Sequence, residues 1–158
     1  MVSKIIFWNR QDKGILIEER KPIKILFNSC GGDLDVEETI CSIISLSKTP
    51  IWGIAIGQVA SAASLIYLYC HKRFALESAY WVFHKGMGAV QGNYEDLMSS
   101  IEDYKKQVDK LVKTYSEKTK FTEEEVNENI SRDWYVRFPV ALEKGVADEI
   151  IKDIDILL

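Results

Sequence analysis

Residues Ile51–Leu68 read IWGIAIGQVASAASLIYL, and the rest of the predicted fold is built around them. The stretch begins with an apolar run after Pro50, and the small and polar residues of Gly57–Ser64 interrupt that run before apolar residues resume. A membrane span needs about 20 apolar residues, and the polar interruption makes this stretch a poor span. We therefore predict a buried strand over residues 51–56, followed by a buried helix over residues 61–70.

Ser61 stands at the predicted junction of this strand and helix. A serine among small residues has two interpretations. Either it fills a tightly packed space, or the junction exposes its hydroxyl beside helix amides that lack partners. On these residues alone, the packing interpretation is favoured.

Strands and helices alternate around this stretch. Before it, Ile23–Phe27 reads as a strand, the turn formers of Asn28–Asp33 end that strand, and residues 34–47 repeat apolar side chains at helical spacing. After it, we predict a basic turn at His71–Arg73 and a strand at Ala79–Phe83. The order β-loop-α-β-α-β is typical of parallel strands joined by crossover helices, and it predicts an α/β domain.

The two ends of the chain give weaker patterns. Ile5–Trp8 is a short run rich in β-forming residues. Thr122–Glu125 matches a capping box that opens a short helix, residues 131–135 break the pattern, and Pro139–Lys144 is predicted as a last helix. Residues 146–158 are a mixed apolar tail.

A long helix is predicted from Asn93 to about Thr119. Its apolar residues recur with alternating spacings of four and three, which is a 3.5-residue period. Either one seam of this helix packs on its own sheet, or part of the helix protrudes and packs on a neighbouring subunit. The seam consists of Leu97, Ile101, Tyr104, Val108, Leu111 and Tyr115.

Composition limits the function. The 158 residues form one domain, and the 20 basic and 24 acidic side chains are interspersed, so we expect no nucleic acid partner. Three cysteines form neither an even framework nor a zinc-binding pair, and the N-terminus has no apolar segment typical of a secretory signal. We expect a cytoplasmic protein without a metal or a cofactor, and without membrane association.

Ser61, His84 and Asp133 are the candidate catalytic residues. A serine hydroxyl needs a neighbouring base, and an imidazole base needs a carboxylate that fixes its tautomer. His84 ends an apolar strand before a glycine-rich loop, whereas His71 lies in a basic turn. Each candidate also has a structural interpretation: a hydrogen-bonded histidine at a strand end, and a loop carboxylate paired with Arg132.

Backbone amides at two places are candidates for an oxyanion hole. One is the Gly31-Gly32 pair, and the other is Ala62, directly after Ser61. Such donors must stand where negative charge develops in the transition state. Alternatively, the glycine pair is a turn that needs positive φ.

Four motifs in chain order resemble the proteolytic subunits of the Clp protease family, over roughly four fifths of the chain. They are Phe27–Gly32, Gly57–Ser61, Phe83–His84 with Gly88 and Gln91–Gly92, and Arg132–Asp133 followed by Ala141, Gly145 and Asp148.

The resemblance implies a serine endopeptidase that acts on peptides or unfolded polypeptides. It makes Ser61 the nucleophile, His84 the general base and Asp133 its orienting partner, with the oxyanion amides on Gly32 and Ala62. It also implies that an extended peptide is bound as an added strand. The implied substrate-binding residues are Gly31, Leu34, Gly86, Met87, Gly88 and Gln91.

The resemblance further implies a crotonase-like α/β spiral of ββα units with a long protruding helix, residues 93–119, used for oligomerisation. Subunits of the family form heptameric rings stacked in pairs, and an ATP-driven (AAA+) unfoldase docks on the rings.

This chain departs from the family pattern in its loops, at the docking positions and in its N-terminal part. Cys30 and Gly86 stand where prolines are usual, and Lys24 and Leu26 replace aromatic residues that help to dock the unfoldase. The N-terminal part, residues 1–22, is shorter than in the family and leaves little room for its axial loops and first long helix. Two alternatives therefore stay open: a catalytically silent Clp-like subunit, and a crotonase-fold enzyme acting on acyl-CoA thioesters.

Overall fold

The structure, a computed structural model, describes residues 1–86 and 89–158. Within these ranges, six strands form one mixed sheet and six α-helices accompany it. The strands are β1 (Ile23–Ser29), β2 (Ile51–Ala60), β3 (Lys72–Ala75), β4 (Tyr80–Phe83), β5 (Trp134–Arg137) and β6 (Glu149–Ile150). The helices are α1 (Val2–Gln11), α2 (Leu34–Leu46), α3 (Ala62–Tyr69), α4 (Tyr94–Lys118), α5 (Glu123–Asn129) and α6 (Val140–Glu143), and 3₁₀ turns lie at Ile17–Glu19 and Ile154–Leu157.

Strand β2 is the centre of the sheet. It pairs in parallel with β1 along most of its length. On its other edge, residues 52–55 pair with β3, and residues 58–60 pair with β4. One long strand therefore changes its neighbour halfway along. This division places the end of β2 beside the end of β4.

A close contact between Asn28 and Gly57 marks the change of neighbour. The β1–β2 register shifts there, because Phe27 pairs with Ala55 while Ser29 pairs with Val59. The side-chain oxygen of Asn28 accepts a hydrogen bond from the N–H of Gln58 at 3.2 Å. A Cβ atom on Gly57 would lie 2.6 Å from that oxygen, so a larger residue there would displace the Asn28 side chain.

The predicted strand and helix within Ile51–Leu68 are confirmed. Strand β2 runs to Ala60, farther than predicted, and α3 begins at Ala62, so Ser61 is the junction. Within residues 1–86 and 89–158, no helix has the length and the apolar character needed to cross a membrane.

The predicted long helix is also confirmed, and its buried residues lie toward its C-terminal end. Asn93 caps α4 by accepting a hydrogen bond from the N–H of Asp96 at 3.0 Å. The C-terminal end of the seam is buried at Leu111 and Tyr115, whereas Ile101 is 53% exposed. The helix is about 38 Å long, and its first half extends beyond the core.

The N-terminal prediction was wrong. Residues 5–8 lie in helix α1, not in a strand. Ile5 is buried in the core, and the Asn9 side chain bonds to the loop after α2, accepting from the N–H of Lys48 at 2.9 Å and donating to Ser47 Oγ at 2.7 Å. Contacts with the rest of the fold thus override the local preference for a strand.

Three short strands were missed. Lys72 and Arg73, predicted as part of a turn, begin β3. Trp134 and Tyr135, predicted as part of a break, begin β5, and the apolar tail contains β6. Each has four residues or fewer, which is too short for a clear alternation of apolar and polar side chains.

The three cysteines differ in their surroundings, and this gives a test of the fold. Cys30 is exposed, while Cys41 and Cys70 are buried. Burial raises the pKa of the Cys41 thiol, which also donates a hydrogen bond to Glu37 at 2.9 Å, and burial raises the pKa of Cys70 to about 12. Because thiolates react and buried thiols stay protonated, Cys30 should be the reactive cysteine.

We predict that iodoacetamide in mildly alkaline buffer alkylates Cys30 first in the folded protein, as measured by peptide mass spectrometry. The denatured protein is the control, in which all three cysteines should react. Modification of Cys41 or Cys70 as fast as Cys30 in the folded protein would contradict this packing.

Candidate active site

Ser61 and His84 lie at the same edge of the sheet. Strands β2 and β4 are parallel, and Ala60 pairs with Val82. Ser61 directly follows the end of β2, and His84 directly follows the end of β4. The backbone register thus brings the predicted nucleophile and the predicted base to neighbouring strand ends.

Strand β5 brings Asp133 to the same place. It is antiparallel to β4, and Trp134 pairs with Phe83. The residue before Trp134 therefore lies beside the residue after Phe83, which places Asp133 beside His84. The distance from His84 Nδ1 to Asp133 Oδ1 is 3.4 Å.

The backbone of Ser61 has an unusual conformation. Its φ is +54° and its ψ is −132°, and it is the one residue other than glycine with positive φ among those described. Its N–H donates to the carbonyl of Val82 at 2.9 Å, and its own carbonyl accepts from the N–H of Ser64 at 2.8 Å. Such a conformation costs on the order of 1–3 kcal/mol and persists only where surrounding contacts hold it.

One nitrogen of His84 has no partner. The side chain of His84 is 22% exposed, yet its Nε2 atom is buried and makes no hydrogen bond within the described part of the chain. Ser61 Oγ accordingly does not bond to it in this structure. Asp133 contacts His84, and the described ion pairs include none between Asp133 and Arg132, so the carboxylate is oriented toward the imidazole.

The loop between β1 and α2 lies directly against Ser61. Gly31 has φ +103°, and its N–H donates to Ser29 Oγ at 3.2 Å. A Cβ atom on Gly31 would lie 2.6 Å from Ser61 Cβ and 2.8 Å from the carbonyl oxygen of Ala60. The sequence left open whether this glycine merely forms a turn; it both adopts positive φ and permits close approach to Ser61.

The two predicted oxyanion amides belong to the residues that directly follow Gly31 and Ser61. Ala62 is the first residue of α3, where backbone N–H groups have no partner inside the helix. Its nitrogen would be 3.2 Å from a Cβ atom on Gly31. Gly32, the next residue, is exposed and has open space around it.

The predicted substrate-binding residues are only partly described. Met87 and Gly88 lie outside the described residues. Gly86 has φ +85° and no atom within 4 Å of its Cβ position, and Gln91 is exposed. Leu34 is half-buried at the start of α2.

Leu34 lines a cavity of about 420 Å³ between α2, α3 and α4. Leu65 and Leu111 supply part of its apolar wall, and Glu37 lies on its α2 side. Burial raises the pKa of the Glu37 carboxyl. Lys110 also lines the cavity and pairs with Glu38.

The sequence does not predict a role in the site for Ser64 or Tyr115, although both lie near Ser61. Ser64 is one of the small residues of the stretch Gly57–Ser64, and Tyr115 belongs to the apolar seam of α4. Their hydroxyls bond to each other inside the core at 2.9 Å. The available signal was the spacing of Ser61 and Ser64, which places both on one side of a helix that begins between them.

Comparisons with known proteins show which family this chain is similar to. The family model described as Clp protease matches residues 15–153. The chain is 30% identical over 135 residues to the ATP-dependent Clp protease proteolytic subunit 2 of Treponema denticola, covering 84% of this chain and 68% of that protein. It is 30% identical to the protein of the same name from Treponema pallidum, covering 84% of this chain and 67% of the relative. It is 26% identical to the ATP-dependent Clp protease proteolytic subunit of Paracoccus denitrificans, covering 85% and 69%.

The contact between Gly31 and Ser61 can be tested with a matched pair of substitutions. Gly14 has a similar φ of +97° but open space around its Cβ position. We predict that Gly14→Ala lowers the free energy of unfolding by about 1 kcal/mol or more, because of positive φ alone. Gly31→Ala should cost about 1–3 kcal/mol beyond that, because its methyl group overlaps Ser61. Urea unfolding measures both, and equal costs would contradict the close approach.

Proposed function

Because this chain belongs to the Clp protease family, we propose that it is a serine endopeptidase that cleaves peptides or unfolded polypeptides through an acyl-enzyme on Ser61. The crotonase-like α/β fold of that family agrees with the mixed sheet and its surrounding helices. The observation that carries the proposal is the state of His84: one nitrogen faces Asp133 at 3.4 Å, and the other is buried without a partner among residues 1–86 and 89–158. If His84 had only a structural role, a buried imidazole nitrogen without a hydrogen-bond partner would lower the stability of the fold.

In the proposed reaction, His84 Nε2 accepts the proton of Ser61 Oγ as that oxygen attacks the carbonyl carbon of the scissile peptide bond. The protonated imidazole, stabilised by Asp133, then gives this proton to the leaving amine as the C–N bond breaks. Water hydrolyses the resulting ester by the same route, with His84 as the base, and Ser61 is regenerated. The Ser61–His84 hydrogen bond forms only in the working complex, since such bonds are often long or absent without substrate.

The amides of Gly32 and Ala62 are proposed to bind the carbonyl oxygen as it becomes negative. The close approach of Gly31 to Ser61 supports this role, because it holds the loop against the start of α3. The substrate is proposed to bind as an added strand along residues 86–91, with Leu34 beside it. The roles of Met87 and Gly88 are carried over from the family motif.

The protein is further proposed to work as a homo-oligomer, with heptameric rings stacked in pairs around a chamber that excludes folded proteins. The exposed apolar side chains in the first half of α4 support an intersubunit contact. They are Tyr94, Met98, Ile101 and Tyr104.

An ATP-driven partner is also part of the proposal, since the relatives are named ATP-dependent. At the docking positions inferred from the family, Leu26 is 52% exposed and Lys24 is half-buried. The cytoplasmic location stays a prediction.

A catalytically silent Clp-like subunit is the second candidate. It is favoured by one observation, that Ser61 Oγ makes no hydrogen bond to His84. An acyl-CoA thioester enzyme of the same fold needs no Ser-His-Asp unit, so the contact between His84 and Asp133 favours the peptidase.

Substitution of the proposed catalytic residues tests the activity. Ser61→Ala, His84→Ala and Asp133→Asn should each lower kcat for hydrolysis of a fluorogenic peptide by about 10⁴-fold or more, because each removes part of one proton-transfer unit. Ser99→Ala is the control, since Ser99 is an exposed serine on α4. A wild type no faster than Ser61→Ala under conditions where the protein is assembled would favour the silent subunit.

Substitution on α4 tests the assembly. Ile101→Glu should convert the oligomer into smaller species in analytical ultracentrifugation, because it buries a charge in the proposed interface. Ser99→Glu introduces the same charge on the opposite side of the helix and should leave the mass unchanged. A wild type that sediments as a stable monomer, or an Ile101→Glu variant with unchanged mass, would contradict the proposed interface.

A further inference from the structure

The carbonyl oxygen of Ser61 is held by two hydrogen bonds from one residue. The N–H of Ser64 donates to it at 2.8 Å, and Ser64 Oγ donates to it at 2.6 Å. These bonds act on the residue whose φ is +54°, so they fix the peptide unit of the strained junction.

Tyr115 completes this arrangement from helix α4. A serine hydroxyl has one hydrogen to donate, and Ser64 gives it to Ser61. The 2.9 Å bond between Ser64 Oγ and the Tyr115 hydroxyl must therefore be donated by Tyr115. Both residues are fully buried, and burial raises the pKa of Tyr115, so its hydroxyl stays protonated and able to donate.

The ring of Tyr115 also contacts the segment that carries the base. It stacks on Phe83, with ring centroids 4.3 Å apart and an interplanar angle of 30°. Phe83 is the last residue of β4 and directly precedes His84. Tyr115 thus contacts both parts of the site. Its hydroxyl is bonded to Ser64 at the serine junction, and its ring packs on the segment that carries His84.

We propose that Tyr115 and Ser64 are positioning residues that hold Ser61 and His84 in register for proton transfer. This rests on the proposed peptidase function. A purely structural role would not require the two hydroxyls, because an apolar pair of similar shape fills such a core at little or no net cost. The hydroxyls make the contact directional. The bond from Tyr115 orients the Ser64 hydroxyl, and the bond from Ser64 orients the Ser61 carbonyl.

Substitutions that remove one hydroxyl at a time test this inference. Tyr115→Phe keeps the ring on Phe83 and removes the bond to Ser64. Ser64→Ala removes the hydroxyl bond to the Ser61 carbonyl and keeps the bond from the backbone N–H. The matched control is Tyr67→Phe, because Tyr67 is also fully buried and its hydroxyl donates to the carbonyl of Phe74 at 3.0 Å, without contact with Ser61.

With assembled protein, we expect Tyr115→Phe and Ser64→Ala to lower kcat for a peptide, and the rate of Ser61 modification by a fluorophosphonate, by about five- to tenfold, with KM unchanged. The double variant should be no slower than the slower single variant, since both substitutions break one chain of bonds. Tyr67→Phe should react at the wild-type rate although it loses thermal stability to a similar degree. A Tyr115→Phe variant that reacts at the wild-type rate would overturn the inference.

A second measurement does not depend on activity. Crystal structures of wild type, Ser64→Ala and Tyr67→Phe give the φ of Ser61 directly. We expect positive φ in wild type and in Tyr67→Phe, and a shift out of the left-handed region in Ser64→Ala. An unchanged φ of Ser61 in Ser64→Ala would overturn the inference. A wild type that fails to react at Ser61 would instead overturn the peptidase function, and the φ of Ser61 would still decide whether Ser64 holds this backbone.

Discussion

The left-handed backbone of Ser61 fixes the geometry of the site. At φ +54° the chain turns sharply from β2 into α3, so the side chain of Ser61 stands at the end of the strand, where the first amide of the helix is free to donate. The conformation is unfavourable for a residue with a Cβ atom. It is held by the carbonyl of Val82 on one side and by Ser64 on the other.

The sheet and the long helix both serve this junction. Because β2 exchanges β3 for β4 at residues 55–58, its last residues run beside the strand that ends at His84. Helix α4 then packs its buried end over the same region through Tyr115, while its first half extends outward. Helix α4 contributes to the core at one end and exposes apolar side chains at the other. It therefore links the site to any surface on which the exposed end packs.

Much of this was predictable from local patterns. The apolar run interrupted by small residues predicted a strand, a junction at Ser61 and a helix, because hydrophobic periodicity and turn formers act over a few residues. The period of α4 predicted the helix itself, but not where burial ends along it. The strand expected at residues 5–8 was wrong, because packing against α2 decides between helix and strand in a short apolar run.

The meeting of His84 and Asp133 could not be derived in this way. It depends on the antiparallel pairing of Phe83 with Trp134, two residues far apart in the chain. Strand β5 is also too short to be predicted from alternating apolar and polar side chains. The bond between Ser64 and Tyr115 is likewise long-range. Motif order suggested which residues share a site, whereas the distances between them come from the tertiary structure.

Peptide mapping of the assembled wild-type protein after treatment with a fluorophosphonate tests whether Ser61 is the nucleophile. We expect one adduct, on the peptide that contains Ser61, and loss of that adduct when the protein is denatured before treatment. No adduct on the assembled protein, or an adduct on a serine away from the junction of β2 and α3, would contradict it.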